Sequence, residues 1–309
     1  SIAKIVHSHG IPLLVDQAHG AHFGMQEDFP KSALEQGADL VVESVHKTLP
    51  AFTQTALLHV QGNLVDRSRL KQFLGIYQTS SPSYVMMSGI AWCMDYCQKE
   101  RKNAFSQYAK QLYQLRKQLK QLPMLVLYDG KKEAKDAAVF DYDMGKIVFG
   151  VKDNLFTGAE LYSYLREVHH LEMEMASMSY VIAMTSVMDT KEGLERLLVA
   201  AKDINDKAIK RKEMGQNLKA SHSMRPPDKQ NKYILSPYEA DQKAGRKISF
   251  LQAAGKIAKD YVYLYPPGIP LLVPGEEITE EMISYVQACE AQGLSVKGIK
   301  EETIWIVQD

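Results

Sequence analysis

The hydrophobic pattern of the N-terminal residues predicts a helix and two strands. Residues 2–9 have the spacing of a helix that ends at Gly10, and residues 11–15 form an apolar run suited to a strand buried on both faces. Residues 31–36 predict a short crossover helix, and residues 38–42 begin a second strand. A right-handed parallel connection brings the carboxyl ends of both strands to one edge of a sheet, where ligands bind in open α/β folds.

A single apolar stripe runs along the charged segment 99–122. Its members recur at three- and four-residue steps and are Phe105, Tyr108, Leu112, Leu115, Leu119 and Leu122. The spacing predicts a long amphipathic helix with one buried face. A connector packed between domains is favoured over a helix that binds a partner. Pro123 follows this segment, so we expect a domain boundary near it.

The pattern after Pro123 predicts a small α+β layer domain. Its expected elements are a strand at 146–151, a helix at 157–168, strands at 171–175 and 180–187, and a helix at 189–210. Thr157 and Glu160 have the spacing of a capping box at the start of the first of these helices.

The C-terminal residues predict a linker and a mixed region. Polar residues 216–233 indicate an exposed linker, and residues 236–258 a mostly helical segment. The three prolines of residues 265–270 predict a stiff loop, since they exclude a helix interior and a central strand. A helix at 279–292, ended by Gly293, and a strand at 303–307 complete the chain.

The composition is that of a soluble protein with balanced charge. The 309 residues are 45% hydrophobic, which is enough for a sizeable core and two domains. The 37 basic and 37 acidic residues balance, so neither a nucleic acid nor an anionic membrane surface is an expected partner. No apolar run reaches the roughly 18 residues of a membrane span, and no signal-peptide pattern is present. The three cysteines suit a reducing cytoplasm.

The most informative chemistry is an aspartate and a lysine at the ends of the two predicted strands. Asp16 ends the run Leu13-Leu14-Val15-Asp16, and Lys47 ends the turn Ser44-Val45-His46-Lys47. Either residue alone is usually a capping or surface residue. Together they are what a pyridoxal phosphate (PLP) enzyme needs, because the amine can form a Schiff base and the carboxylate can keep the pyridine nitrogen protonated. The pair suits decarboxylation, transamination, racemisation or aldol cleavage equally well.

Six strings of the chain resemble the ornithine/lysine/arginine decarboxylase family of fold-type-I PLP enzymes, and its shorter Gram-positive-type members in particular. They are VDQAHGAHFG (15–24), GADLVVESVHKTLPAFTQTALLHV (37–60), QTSSPSY (78–84), FTGAELYSYLRE (156–167), MEMASMSYVIAMTSV (173–187) and YPPGIPLLVPGE (265–276), in family order. The resemblance implies an α/β fold. Residues 1–123 are then the C-terminal part of the PLP-binding large domain with its connector helix, residues 124–215 the small α+β domain, and residues 216–309 the linker and C-terminal decarboxylase region.

The resemblance also implies roles for residues near the two strand ends. Lys47 is the Schiff-base lysine, and Asp16 is the partner of the pyridinium nitrogen. His19 lies against the cofactor ring or its phenolic oxygen, and either Lys47 or His19 returns a proton to the substrate. Ser44 and His46 are implied at the cofactor phosphate.

A further implication concerns assembly. Thr79 and Ser80 are implied at the phosphate of a neighbouring subunit's cofactor, which requires a homodimer or a higher homo-oligomer with shared sites. Family members also carry, before the position of Ser1, a stretch with the turn that cradles the phosphate. This chain starts inside a predicted helix without an initiator Met. We therefore expect a fragment that binds PLP poorly by itself.

Metal binding is a weaker interpretation of the cysteines and histidines. Cys93 and Cys97 have helical spacing, but no Cys or His completes a zinc-binding pattern, so buried free thiols are favoured. His19 and His22 raise the same question. Their motif favours a cofactor role for His19 and a structural role for His22, and no metal is expected.

The implied reaction converts arginine, lysine or ornithine to its amine and CO2, a step of polyamine biosynthesis. A basic substrate needs a carboxylate for its distal cation, and Glu276, Glu174 and Asp141 are candidates. Two alternatives remain. One is a PLP-free paralogue with a role in assembly. The other is a different fold-type-I enzyme such as an aminotransferase, in which an arginine would bind the substrate α-carboxylate.

Overall fold

A computed structural model describes residues 1–130, 139–216, 231–265 and 268–308. These residues form two units, each assembled from several stretches of the chain. The first unit comprises Ser1–Lys117, Asp129–Lys146 and Thr185–Glu195, and the second comprises Gln118–Tyr128, Ile147–Met184 and Arg196–Asp309. The division into residues 1–123, 124–215 and 216–309 stays a prediction.

A three-stranded sheet with the order β1-β2-β3 lies in the first unit. Strand β1 (Leu14–Asp16) runs parallel to β2 (Leu40–Ser44), with Asp16 opposite Val42. Strand β3 (Ala56–Val60) is antiparallel to β2. The parallel pairing expected for the first two predicted strands is therefore confirmed.

Two expectations for this region were wrong. Strand β1 is not buried on both faces, since Leu14 is 63% exposed; β1 is the edge strand of the sheet, and the described residues cover it incompletely. Residues 31–36 form hydrogen-bonded turns instead of a helix. The Ser32 hydroxyl accepts from the Leu34 amide, a local hydrogen bond that competes with helix formation. Gly37 has a φ of 97°, and this left-handed conformation prevents the helix from continuing.

Helices complete the first unit. They are α1 (Ile2–Ser8), α2 (Val45–Thr48), α3 (Arg67–Tyr77) and α4 (Tyr84–Leu119), of which the last two residues belong to the second unit. The apolar stripe predicted on α4 is confirmed, since Phe105 and Leu112 are fully buried. Phe29 stacks on Tyr108 of this stripe at 5.3 Å between ring centroids. Among the described residues, no helix is both long enough and apolar enough to cross a membrane.

A four-stranded sheet with the order β4-β5-β7-β6 belongs mainly to the second unit. Its strands are β4 (Leu125–Leu127), β5 (Lys146–Val151), β6 (Met175–Ala176) and β7 (Tyr180–Met184). Helix α5 (Gly158–His169) packs on β6 and β7, and α6 (Lys191–Glu213) follows β7 in the chain. The predicted capping box is confirmed, with the Glu160 amide 3.0 Å from Thr157 Oγ1.

The C-terminal part of the second unit is richer in strands than predicted. Its elements are α7 (Pro237–Gln242), β8 (Gly245–Ser249), β9 (Val262–Leu264), β10 (Ile269–Leu272), α8 (Glu280–Ala291), β11 (Val296–Lys297) and β12 (Thr303–Val307). The prediction of a mostly helical segment at 236–258 was wrong. Strand β8 forms there because β12 pairs with it along its whole length. Pairing with a distant strand thus outweighs the local preference for a helix.

The structure agrees only in part with the prediction for the proline-rich segment. Residues 266–267 and 217–230, which include part of the predicted loop and most of the predicted linker, lie outside the described residues. The predicted loop at 265–270 was wrong at its end, since Ile269 and Pro270 lie in β10, an edge strand of the sheet β10-β9-β11 that pairs with β9. An edge strand tolerates a residue without an N–H, so the exclusion of a central strand is confirmed.

Candidate active site

The ends of β1 and β2 bring the first candidate residues to one edge of the sheet. Asp16 ends β1, and Ser44 ends β2 and is the N-cap residue of α2. Val41 and Val45 are completely buried, so apolar packing fixes both β2 and the turn into α2. Lys47 lies in this short helix and is thereby held close to the strand end.

Lys47 and His19 contact each other directly. Lys47 Nζ lies 2.9 Å from His19 Nε2, and both side chains are half-buried. An ammonium group donates and a neutral imidazole nitrogen accepts, so the two residues can share a proton at this contact. The sequence analysis named both residues, but it did not predict that they contact each other.

The turn that carries His19 has little freedom. The Gly20 amide donates to the Gln17 carbonyl at 2.9 Å, which closes the turn around His19. A side chain at position 20 would lie 2.6 Å from the Phe23 ring and 2.8 Å from Gln17 Cγ. Glycine is therefore required at this position, because no Cβ atom fits there.

Asp16 presents its carboxylate at the end of β1. The residue is exposed, and its Oδ1 accepts from the Ala18 amide at 2.9 Å. This local bond fixes the direction of the side chain. A charged carboxylate is thus held at the edge to which Lys47 and His19 also belong.

Ser44 and His46 lie on the same connection. The Ser44 hydroxyl makes no capping bond to α2, and the side chain is half-buried. His46 Nδ1 is 3.0 Å from the Thr55 carbonyl oxygen. Because a carbonyl only accepts, Nδ1 carries a proton and the ring has a fixed orientation.

Thr79 and Ser80 lie elsewhere in the first unit. Both are exposed in the loop between α3 and α4, and Thr79 Oγ1 accepts from the Ser81 amide at 3.2 Å. Within the described part of the chain, no hydrogen bond joins these two residues to Asp16 or Lys47. The structure therefore brings five of the seven candidates to one edge and leaves this pair outside it.

A buried polar chain supports the His19 turn, and the sequence analysis missed it. Gln17 Nε2 donates to Glu43 Oε1 at 2.6 Å and to the Gly20 carbonyl at 3.0 Å. Glu43 Oε2 also lies 3.1 Å from His59 Nε2 on the neighbouring strand. The sequence signal that could have revealed this polar chain is Glu43, an acidic residue inside the apolar run of β2. An unpaired charge would be costly there, so Glu43 needs a hydrogen-bonding partner.

A second polar cluster was also missed. Asp143 Oδ2 lies 2.9 Å from Lys146 Nζ and 3.3 Å from His22 Nε2. Burial alone would raise the pKa of Asp143, but its neighbours His22 and Lys146 lower it to about 2. Asp143 is therefore a buried carboxylate that stays charged. In the sequence, Lys146 was only the first residue of a strand.

The cysteines are buried and unbridged. Cys93, Cys97 and Cys289 are free thiols, which agrees with the expectation for the first two. The described residues contain no group of three or more Cys, His, Asp or Glu side chains that could hold a metal ion.

The three candidate carboxylates for a substrate cation differ in their surroundings. Glu276 is buried, and its Oε2 accepts from Asn231 Nδ2 at 3.0 Å and from the Val273 amide at 2.9 Å. These hydrogen bonds satisfy the buried carboxylate, so Glu276 has a structural role in the second unit. Asp141 is exposed and Glu174 is half-buried.

Comparison with known families finds two matches along the chain. The model described as "Orn/Lys/Arg decarboxylase, major domain" matches residues 1–154. The model described as "Orn/Lys/Arg decarboxylase, C-terminal domain" matches residues 220–308. The two matches lie in the order that the resemblance in the sequence implied.

Individual relatives agree with these matches. The chain is 30% identical to an arginine decarboxylase of Bacillus anthracis over 98% of its own length and 60% of that protein. It is 29% identical to an arginine decarboxylase of Bacillus subtilis (strain 168) over 100% of its length and 62% of that protein. The chain thus spans about three fifths of the length of these curated relatives.

A solved structure shows the same fold. The constitutive lysine decarboxylase of Escherichia coli superimposes with a TM-score of 0.76 over 96% of this chain and 55% of that chain. The sequences are 16% identical, so this likeness concerns the fold alone. The fold-type-I α/β architecture implied by the sequence is thereby confirmed.

Proposed function

The chain belongs to the Orn/Lys/Arg decarboxylase family, and from this premise we propose that the protein removes the α-carboxylate of a basic amino acid with the help of PLP. The observation that carries the proposal is the contact of 2.9 Å between Lys47 Nζ and His19 Nε2. It lies at the strand edge where Asp16 presents its carboxylate.

The residues at this edge fit PLP in chemical type. When bound, the cofactor supplies a conjugated ring that draws electrons from the substrate Cα. The Lys47 amine is the group to hold it covalently, and Asp16 is the carboxylate to hold a proton on its ring nitrogen. Ser44 supplies a hydroxyl for the phosphate. His46 already donates its Nδ1–H to the Thr55 carbonyl, so it would donate to the phosphate only from a protonated Nε2.

His19 is the proposed partner of Lys47 in proton transfer. Its Nε2 can take a proton from Lys47 Nζ and return it, which keeps one proton close to the reacting carbon. Both side chains are half-buried, so bulk water competes less for that proton. His19 and Lys47 together thus replace the lost carboxylate with hydrogen in the proposed reaction.

The proposed substrate has a cationic side chain. The curated relatives are arginine decarboxylases by name, so we take arginine as the first candidate, with lysine and ornithine next. Asp141, Glu174 and Glu276 remain the candidates to bind the distal cation. Of these, Glu276 already holds a backbone amide and an asparagine, which leaves it less suited to the role.

The proposal extends to assembly and location. Thr79 and Ser80 are placed at the cofactor phosphate of a second subunit, so the working unit is a homodimer with shared sites. The protein is placed in the cytoplasm, where its unbridged cysteines stay reduced.

The deciding experiment uses full-length protein titrated with PLP. We expect a visible absorbance band, covalent trapping of the cofactor by borohydride, and amine release from at least one basic amino acid. Lys47→Ala abolishes the band, the trapping and amine release, whereas Lys99→Ala, which changes an exposed lysine of the first unit, retains all three. Borohydride trapping on another lysine of the Lys47→Ala protein would refute the assignment.

A further inference from the structure

His19 and His22 lie in one turn, and Asp143 lies beside His22. We call residues 17–22 the histidine turn. The His22 side chain is buried between Phe23 and Phe29, with ring centroids 4.9 and 5.1 Å away. Its Nε2 lies 3.3 Å from Asp143 Oδ2, and neither ring nitrogen makes a well-aligned hydrogen bond among the described residues. His22 is therefore held beside Asp143 by the packing of its ring.

Lys146 links the same carboxylate to His19. Its Nζ lies 2.9 Å from Asp143 Oδ2 and 3.3 Å from the His19 carbonyl oxygen. The side chains of Asp143 and Lys146 are only 7% and 18% exposed, so both charges have given up most of their water. A buried ion pair contributes little net stability, because the cost of removing both charges from water offsets their attraction. The pair does fix the positions of its two side chains, which suggests a role in positioning.

The far side of Asp143 is fixed to the rest of the first unit. Its Oδ1 accepts from the Gly145 amide at 2.8 Å. The Gly145 carbonyl accepts from Thr185 Oγ1 at 2.7 Å, and that hydroxyl also bonds the buried Tyr108 of α4. A series of short bonds thus connects the carboxylate to the longest helix, so Asp143 is a rigid anchor.

The histidine turn is held from the opposite side as well. The Gln17 side chain donates to the Gly20 carbonyl and is fixed in turn by Glu43 and by the Ala33 amide at 2.8 Å. Side chains from two parts of the unit therefore hold two consecutive carbonyl groups, those of His19 and Gly20. Such bonds orient the backbone that carries the His19 ring.

We propose that Lys146 and Asp143 form a positioning pair that holds the His19 ring in place against Lys47. The inference rests on the proposed function, since it assigns the pair to the proton transfer between these two residues. A shift of His19 by about 1 Å would break its contact with Lys47 Nζ, and displacements of that size lower rates about 100-fold. Among the described residues, no hydrogen bond joins Asp143 or Lys146 to Lys47. In the proposal, Lys146 therefore acts through His19, and Asp143 acts through Lys146.

The first test is a double-mutant cycle in full-length protein. Lys146→Met is expected to lower kcat for the basic amino acid by roughly 10- to 100-fold and to change KM by less than about threefold. In a His19→Ala background the same change should lower kcat no further. Equal losses in the two backgrounds would show that Lys146 acts independently of His19 and would overturn the proposal.

Two further variants separate positioning from folding. Lys146→Met leaves the Asp143 charge buried without its partner, so the double variant Asp143→Asn/Lys146→Met removes both charges and is expected to fold and show the same kcat loss. Lys99→Met is the matched control, because it breaks an exposed Lys–Asp pair of 2.8 Å with Asp95 in the same unit. It should leave kcat unchanged. A folded double variant with wild-type kcat would contradict the proposal.

A second readout needs no cofactor. Acylation of Lys47 by an N-hydroxysuccinimide ester, followed by peptide mass spectrometry of the cofactor-free protein, reports on the surroundings of its amine. We expect His19→Ala and Lys146→Met to change this rate in the same direction by about threefold or more, and Lys99→Met to leave it unchanged. An unchanged rate in Lys146→Met would refute the positioning pair. A protein that never binds PLP would instead refute the proposed function alone.

Discussion

At the scale of single residues, the candidate site combines groups that are useful only together. Lys47 supplies an amine, His19 a base within 2.9 Å of it, and Asp16 a carboxylate at the neighbouring strand end. Gln17 bonds the turn that carries His19, and Asp143 bonds Lys146, which contacts the His19 carbonyl. The chemistry of each side chain is therefore a property of its neighbours as much as of its type.

Asp16 provides a prediction at this scale. Asp16→Asn is expected to retain PLP binding but to lose most amine release, by about 100-fold or more, because an amide cannot hold a proton on the pyridine nitrogen. Absorbance titration and steady-state kinetics measure the two effects separately. Near-wild-type turnover in a variant that binds PLP would remove Asp16 from the proposed site.

Asp143 provides a prediction about pH. Its pKa is lowered from the ordinary value of 3.8 to about 2, so its ionised form stabilises the fold above pH 3.8 and this contribution is lost as pH falls toward 2. The shift corresponds to about 2 kcal/mol. Urea unfolding should show that Asp143→Asn is destabilising at pH 6 and much less so at pH 2.5. The exposed Asp95→Asn should show no such difference, and parallel pH profiles for wild type and Asp143→Asn would contradict the prediction.

At the scale of elements, local sequence and distant pairing decide different parts of the fold. Helix α5 begins where Thr157 and Glu160 form their capping box, with all the necessary atoms within three residues. Strand β8 exists because β12 lies beside it, although nearly sixty residues separate them in the chain. The start of α5 was predictable because its cause is local, whereas β8 was missed because its local sequence does not reveal its partner.

The capping box yields the prediction for an element. Thr157→Ala removes the acceptor for the Glu160 amide at a buried helix start and should lower the free energy of unfolding by about 1–2 kcal/mol. Ser236→Ala is the matched control, since Ser236 and Glu239 form the same motif on the exposed start of α7. Its loss should be less than about 1 kcal/mol. Urea denaturation of both variants checks the order, and a larger loss for Ser236→Ala would refute the argument.

At the scale of the whole molecule, the loop that carries Thr79 and Ser80 bears on the proposed assembly. These residues make no hydrogen bond to the candidate site within the described chain, yet they belong to a family-like string. Tyr77 and Tyr84 flank the loop and are both 82% exposed. Large aromatic side chains exposed on both sides of a polar loop are typical of a contact surface, which agrees with the proposed homodimer.

Subunit mixing tests the proposed shared site. Lys47→Ala protein and a Thr79→Ala/Ser80→Ala variant, each full length and inactive alone, are mixed and allowed to exchange subunits. A hybrid dimer then contains one intact site, so amine release should recover to about one quarter of wild type if exchange is statistical. Exchange is followed by native mass spectrometry. Proven exchange without recovery would leave the loop as a structural turn.

The sequence by itself determined the family, the α/β fold class, and the residues that gather at the strand edge. It could do so because these features depend on short motifs, on hydrophobic periodicity, and on the rule that parallel strands end at a common edge. The stripe of α4 and the capping box of α5 were predictable for the same reason, since each is encoded within a few residues.

Only the tertiary structure decided which residues support the site. Lys146 and Asp143 are more than 120 residues from His19, and nothing in their local sequence distinguishes them from surface charges. Their burial beside the histidine turn and the formation of β8 both depend on contacts between distant segments. Such contacts exist only once the chain has folded, because burial and electrostatic pairing are properties of three-dimensional neighbours and not of order along the chain.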